Sequence, residues 1–102
     1  MARVAWTMLL REDKIEEYER EHAAVWPEVL AVIKAAGVSN YSIYRHGTRV
    51  FGYFECDDPE KAIAEMAEGE SKAGWGEAMK PLVAPEVAEN GEDYMPEVFR
   101  LD

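Results

Sequence analysis

At 102 residues the chain has room for one domain with its own core and none for a second. Its 21 acidic residues against 11 basic ones give a formal charge of −10, which repels a phosphate backbone, argues against nucleic-acid partners and mildly disfavours anionic substrates. Cys56 is the only cysteine, so no intramolecular disulfide can form and a reducing, cytoplasmic setting is expected. No apolar run approaches the ~20 residues of a membrane span, and the first residues carry too short an apolar run for a signal peptide.

Residues 4–10 mix β-branched, aromatic and aliphatic side chains and predict a first strand. Asp13, with Glu16 three residues on, reads as a capping box opening a helix. From Ile15 the larger apolar residues fall at 15, 18, 22, 25, 26, 29, 30, 32 and 33, a stripe with the helical period, and Gly37 ends it. Pro27 interrupts that stripe: it has no N–H and its ring crowds the carbonyl of Ala23, so the helix must bend or break there. Residues 38–44 and 50–56 predict two strands joined by a tight turn at Gly47. Pro59 opens a second helix over 60–68, a shorter helical piece covers 71–80, and residues 83–95, with Pro85, Asn90 and Gly91, read as loop. Residues 97–101 predict the last strand.

The order β-α-β-β-α-β is that of the ferredoxin-like split βαβ arrangement, an α+β fold whose four-stranded antiparallel sheet carries its helices on one face. The strand at 50–56 is apolar on both faces, Val50, Gly52 and Phe54 against Phe51 and Tyr53. A second apolar face needs a cover, and a homodimer supplies it most simply.

Tyr18, His22 and Trp26 advance by ~40° per step and form a ridge along the first helix. A histidine there can exchange protons near neutral pH and a tyrosine beside it can donate or accept. The same residues can equally straddle the core boundary with their polar atoms satisfied locally. A break at Pro27 opens a cleft or merely joins two helices. Tyr41, Met8 and Trp75 are further pocket candidates, each with a packing role available to it. With two histidines, one of them His46 in the hairpin turn, no metal site is expected, and no phosphate-binding loop or nucleophile elbow is present.

Tyr18-x-x-x-His22-x-x-x-Trp26-Pro27-Glu28, then Gly37-x-x-Asn40-Tyr41-Ser42-Ile43-Tyr44, then Trp75 with Met79, then Glu97-Val98-Phe99, together resemble the L-rhamnose mutarotases from the first strand to the last. The resemblance implies a dimeric α/β-barrel protein that interconverts the α and β anomers of a free monosaccharide without a cofactor. It implies that His22 is the proton donor and that Tyr18, Tyr41 and a tryptophan pair, the first of which Trp75 matches, bind the sugar. The chemistry of mutarotation adds a role for Tyr18, one turn before His22, in positioning or relaying the second proton. Gly76 stands where the family has a second tryptophan, so that wall of the pocket is missing and a larger or different ligand would fit. Two other functions share these residues: a mutarotase-like enzyme redirected to another proton transfer, such as a cyclase, isomerase or lyase, and a non-catalytic dimeric binding module.

Overall fold

A computed structural model describes residues 1–102. Four strands, β1 (Ala2–Leu9), β2 (Ser39–His46), β3 (Arg49–Cys56) and β4 (Asp93–Met95), form one antiparallel sheet in the order β2-β3-β1-β4. Helices α1 (Ile15–Ala23), α2 (Pro27–Ala35) and α3 (Pro59–Ala73) cross from strand to strand, and the shorter α4 (Trp75–Met79) and α5 (Pro85–Asn90) lead into β4. This is the expected ferredoxin-like α+β fold. Its core joins Trp6 and Leu10 of β1 and its end, Val50, Phe54 and Cys56 of β3, Tyr18 of α1, and Ala62 and Met66 of α3. No helix is long and apolar enough to cross a membrane.

The break at Pro27 is complete. Trp26 takes an extended conformation (φ −57°, ψ 137°) and Pro27 is the first residue of α2, as the steric conflict ahead of a proline and its fixed φ dictate. Helix α3 outruns its expected end by five residues because Gly69, which would weaken an exposed helix, here lets α2 approach: a Cβ on it would lie 2.5 Å from Val32. Gly74 (φ 86°) stops α3 and restarts the chain as α4, so the predicted helical piece at 71–80 is divided between the two.

Three expectations need correction. Asp13 is no cap: it sits inside a 3₁₀ turn, Glu12–Lys14, and α1 starts at Ile15 with no side-chain cap. Residues 83–95 are structured, since Val83 bridges Leu10 and Ala84 N–H donates to the carbonyl of Leu9 (2.9 Å) before α5 begins. The last strand is Asp93–Met95, not 97–101; Tyr94 pairs with Trp6 of β1. Pro96 follows at once and has no N–H to donate, so the ladder ends there. The strand-prone side chains beyond it, Val98, Phe99 and Leu101, are 94%, 79% and 82% exposed.

Candidate active site

A cavity of about 680 Å³ lies between the core face of the sheet and the helices that cover it. Tyr18, His22, Tyr41, Trp75, Gly76 and Met8 all line it. Trp26 does not; its indole packs edge-on against Trp75 (centroids 5.1 Å apart, planes at 83°). His46 is exposed in the hairpin and Cys56 is buried at the far end of β3. No three His, Cys, Asp or Glu side chains gather as a metal site would require.

His22 sits in the last turn of α1, half-buried. Its Nδ1 is 2.9 Å from the carbonyl oxygen of Tyr18. A carbonyl can only accept, so Nδ1 carries the proton and Nε2 is left as the free ring nitrogen. The ring stacks on Tyr18 (4.1 Å, 27°) and meets Trp75 edge-on (5.4 Å, 71°). Burial lowers the imidazole pKa, against the opposing pull of the Tyr18 carbonyl and of Glu21, so neutral imidazole is the resting form at neutral pH.

Tyr18 is 5% exposed and its hydroxyl has no protein partner, yet no buried polar atom in the molecule is left unsatisfied. The hydroxyl therefore opens onto the cavity. Burial, with Tyr41 and Glu92 nearby, holds this phenol well above its ordinary pKa, so it keeps its proton.

The placement of Tyr41 depends on a reach across the sheet. Trp6 on β1 lies opposite Gly52 on β3, and its indole runs over that glycine to bring Nε1–H 3.2 Å from the Tyr41 hydroxyl on β2. A Cβ at position 52 would fall 2.0 Å from Trp6 Cε2, so only glycine permits the crossing. The Tyr41 oxygen thus accepts from an indole and its own proton is free to point into the cavity. Its phenol is also raised by burial.

Gly74 aims Trp75 inward from the start of α4, where it is 6% exposed. A Cβ on Gly76 would meet nothing within 4 Å, so the cavity is open on that side.

Sequence reasoning missed Glu70, Glu92 and Tyr94, which also line the cavity. The Tyr94 hydroxyl donates to Glu92 (2.8 Å) at the rim. Glu70 was legible: Ile63, Met66 and Ala67 precede it at helical spacing, all lining the cavity, so it is the one charge on the inward stripe of α3. It is half-buried, and burial, with help from Glu92, pushes its carboxyl up from 4.5 to about 7. The site thus combines a neutral imidazole, undissociated phenols, a carboxyl poised near neutrality and an indole wall. Such a set can hydrogen-bond a polyol, stack on its apolar face and exchange protons at two of its oxygens.

The L-rhamnose mutarotase family model matches residues 3–101. The chain is 36% identical over 109 residues to the L-rhamnose mutarotase of Oceanobacillus iheyensis, with both chains covered in full. It is 36% identical over 110 residues to that of Bacillus subtilis, again over the whole of both. Its backbone superposes on the crystal structure of the L-rhamnose mutarotase from Formosa agariphila with a TM-score of 0.79 over 100% of each chain, at 24% identity. On a dimeric ferredoxin-like protein from an uncultured marine organism the TM-score is 0.59, covering 98% of this chain and 96% of that one, at 17% identity. These relatives span the whole fold just described, and the chain belongs to the L-rhamnose mutarotase family of isomerases.

Proposed function

We propose that this protein interconverts the α and β anomers of a free 6-deoxy monosaccharide, L-rhamnose or a close relative, by cofactor-free general acid–base catalysis centred on His22. The observation that carries this reading is the imidazole itself: Nδ1–H is committed to the Tyr18 carbonyl, so Nε2 is the one ring nitrogen left for a ligand in the cavity.

Opening the pyranose breaks the bond between the anomeric carbon and the ring oxygen. A proton leaves the anomeric hydroxyl while another reaches the ring oxygen, and the resulting aldehyde rotates and recloses on its other face. His22 Nε2 serves one of these two proton positions, with a contribution of ~10²–10⁴-fold. Tyr18 keeps its proton and acts by hydrogen bonding to a sugar hydroxyl, as does Tyr41, whose orientation Trp6 fixes. Trp75 offers an indole face to the C–H side of the ring, and Met8 supplies apolar floor for the 6-deoxy methyl.

Saturation-transfer NMR on a panel of free sugars tests this. The wild type should exchange the anomers of L-rhamnose well above the buffer rate, and His22→Ala or His22→Asn should fall to that rate with the fold intact. Unchanged exchange in either variant would refute the role of His22.

The protein acts as a homodimer, joined through the sheet face turned away from the helices. That face carries Tyr44 (67% exposed) and Phe51 (36%), and the apolar side chains of Val98, Phe99 and Leu101 are exposed as well. A single buried cysteine and a net acidic chain fit a cytoplasmic protein with neither nucleic-acid nor membrane partners.

A further inference from the structure

Mutarotation needs two proton positions, and His22 fills one. We propose that Glu70 fills the other, as a catalytic acid–base group that touches the sugar; this rests on the mutarotase reading above.

Among the other polar groups that line the cavity, the hydroxyls of Tyr18 and Ser71 are free but keep their protons at neutral pH, and the rest hold partners in the protein. Lys80 is paired with Glu77 at 3.0 Å. Glu92 accepts from the Tyr94 hydroxyl at 2.8 Å. Tyr41 accepts from Trp6 at 3.2 Å. The phenols of Tyr18, Tyr41 and Tyr94 are all raised, each chiefly by burial, and keep their protons. Glu70 is the one carboxyl lining the cavity with neither a hydrogen bond nor an ion pair in the protein, and it stands on the apolar stripe of a long helix that fixes its position. A half-buried carboxyl with no partner, in a cavity lined by Met66, Ala67 and Trp75, is a burden on stability that folding alone does not require. Burial raises its proton affinity to about 7 and lowers that of the His22 imidazole, so the carboxyl rests as the proton donor and the imidazole as the acceptor.

The pair explains why no net proton change is needed. In the resting form His22 is neutral and Glu70 carries the proton. Nε2 takes the proton of the anomeric hydroxyl, the carbon–oxygen bond of the ring breaks, and Glu70 gives its proton to the ring oxygen. The aldehyde is then flanked by an imidazolium and a carboxylate. After rotation, Glu70 recovers the proton from the ring hydroxyl as its oxygen attacks the carbonyl, and the imidazolium protonates the carbonyl oxygen, which becomes the new anomeric hydroxyl. Both groups return to their starting forms with every proton balanced. Of the titratable groups that line the cavity with Glu70, namely His22, Tyr18, Tyr41, Tyr94, Glu92 and Lys80, the carboxylate of Glu92 is the one whose charge helps to raise it.

The test compares wild type, Glu70→Gln and Glu70→Ala by saturation-transfer NMR on L-rhamnose, with sugar affinity measured separately by calorimetry. Glu70→Gln, which keeps shape and removes the titrating proton, should lose ~10²-fold or more in exchange at saturating sugar with affinity within about threefold of wild type. Glu70→Ala should lose as much and regain exchange in proportion to added formate, which a purely structural role would not produce. The limb of the wild-type pH–rate profile near neutrality should vanish in both variants. Exchange by Glu70→Gln within about threefold of wild type, or absence of formate rescue, overturns the assignment while leaving His22 in place. A wild type that exchanges no sugar overturns the mutarotase reading and this assignment together.

Discussion

Adding one methyl group to β3 tests how the sheet holds the site. In Gly52→Ala the new Cβ would sit 2.0 Å from Trp6 Cε2 and 2.3 Å from Cζ2 and Nε1, against an ordinary contact of 3.4 Å or more. The indole must therefore retreat by about 1.4 Å, the difference between these distances, which takes Nε1 out of reach of the Tyr41 hydroxyl 3.2 Å away. Overpacking of this kind costs ~1–3 kcal/mol, and the lost hydrogen bond adds ~1 kcal/mol. The expected destabilisation is about 3 kcal/mol, a large share of the ~5–15 kcal/mol that a domain of this size has. Urea unfolding followed by tryptophan fluorescence reads it directly. The sharper measurement is a double-mutant cycle with Trp6→Ala, which alone costs ~3–5 kcal/mol. With the indole gone the methyl added at position 52 meets no clash, so the double variant should be more stable than the sum of the two singles by about 2 kcal/mol or more. Additivity within about 0.5 kcal/mol, the scatter of independent sites, would refute the crossing as the reason for the glycine.

The Glu70 carboxyl, raised from 4.5 to about 7, should make stability depend on pH in a defined direction. The fold binds this proton more tightly than the unfolded chain, so its unfavourable contribution is absent below pH 4.5 and grows as pH rises through 7, to at most about 3 kcal/mol given the partial solvent access. Glu70→Gln should thus be more stable than wild type at pH 8 and equal to it near pH 4; a difference independent of pH would sink the argument. His22 runs the other way, its lowered pKa weakening the fold as pH falls below 6.5. For the outer sheet face, Phe51→Glu should shift the protein toward monomer in sedimentation velocity, with circular dichroism unchanged. An unaltered sedimentation coefficient would direct the interface elsewhere.

Much of this fold was legible because its signals are local. Pro27 inside an apolar stripe, Gly47 between two apolar runs and Pro59 after Asp58 each act within a few residues, and the chain breaks, turns and caps where they stand: the Asp58 side chain accepts from Lys61 N–H at 3.3 Å. The last strand was misplaced because pairing depends on neighbours. Residues 97–101 have better strand composition than Asp93–Met95, but the free edge of β1 is reached first by Tyr94, and Pro96 then closes the ladder. The candidate site divides in the same way. Tyr18 and His22 are set on one face by the helical period alone, and the wider motif then separates a site from a core stripe, whereas the tie from Trp6 to Tyr41 over Gly52 needs a register that no single strand encodes. Glu70 was passed over because charges on helices are mostly solvated. Its place on the same stripe as Ile63, Met66 and Ala67 was the available clue.

The indole that spans β3 also divides the cavity into a part that resists change and a part that tolerates it. On the sheet side three strands are tied to one another through a contact that no other residue at position 52 allows, so altering any member means altering Trp6, Gly52 and Tyr41 together. On the helical side Gly76 faces open space, and a side chain can be added there without displacing a neighbour. Variation in which sugar is accepted is therefore least disruptive at the start of α4. Under the proposed mutarotase reading, this one wall can be rebuilt while the floor of the cavity stays as it is.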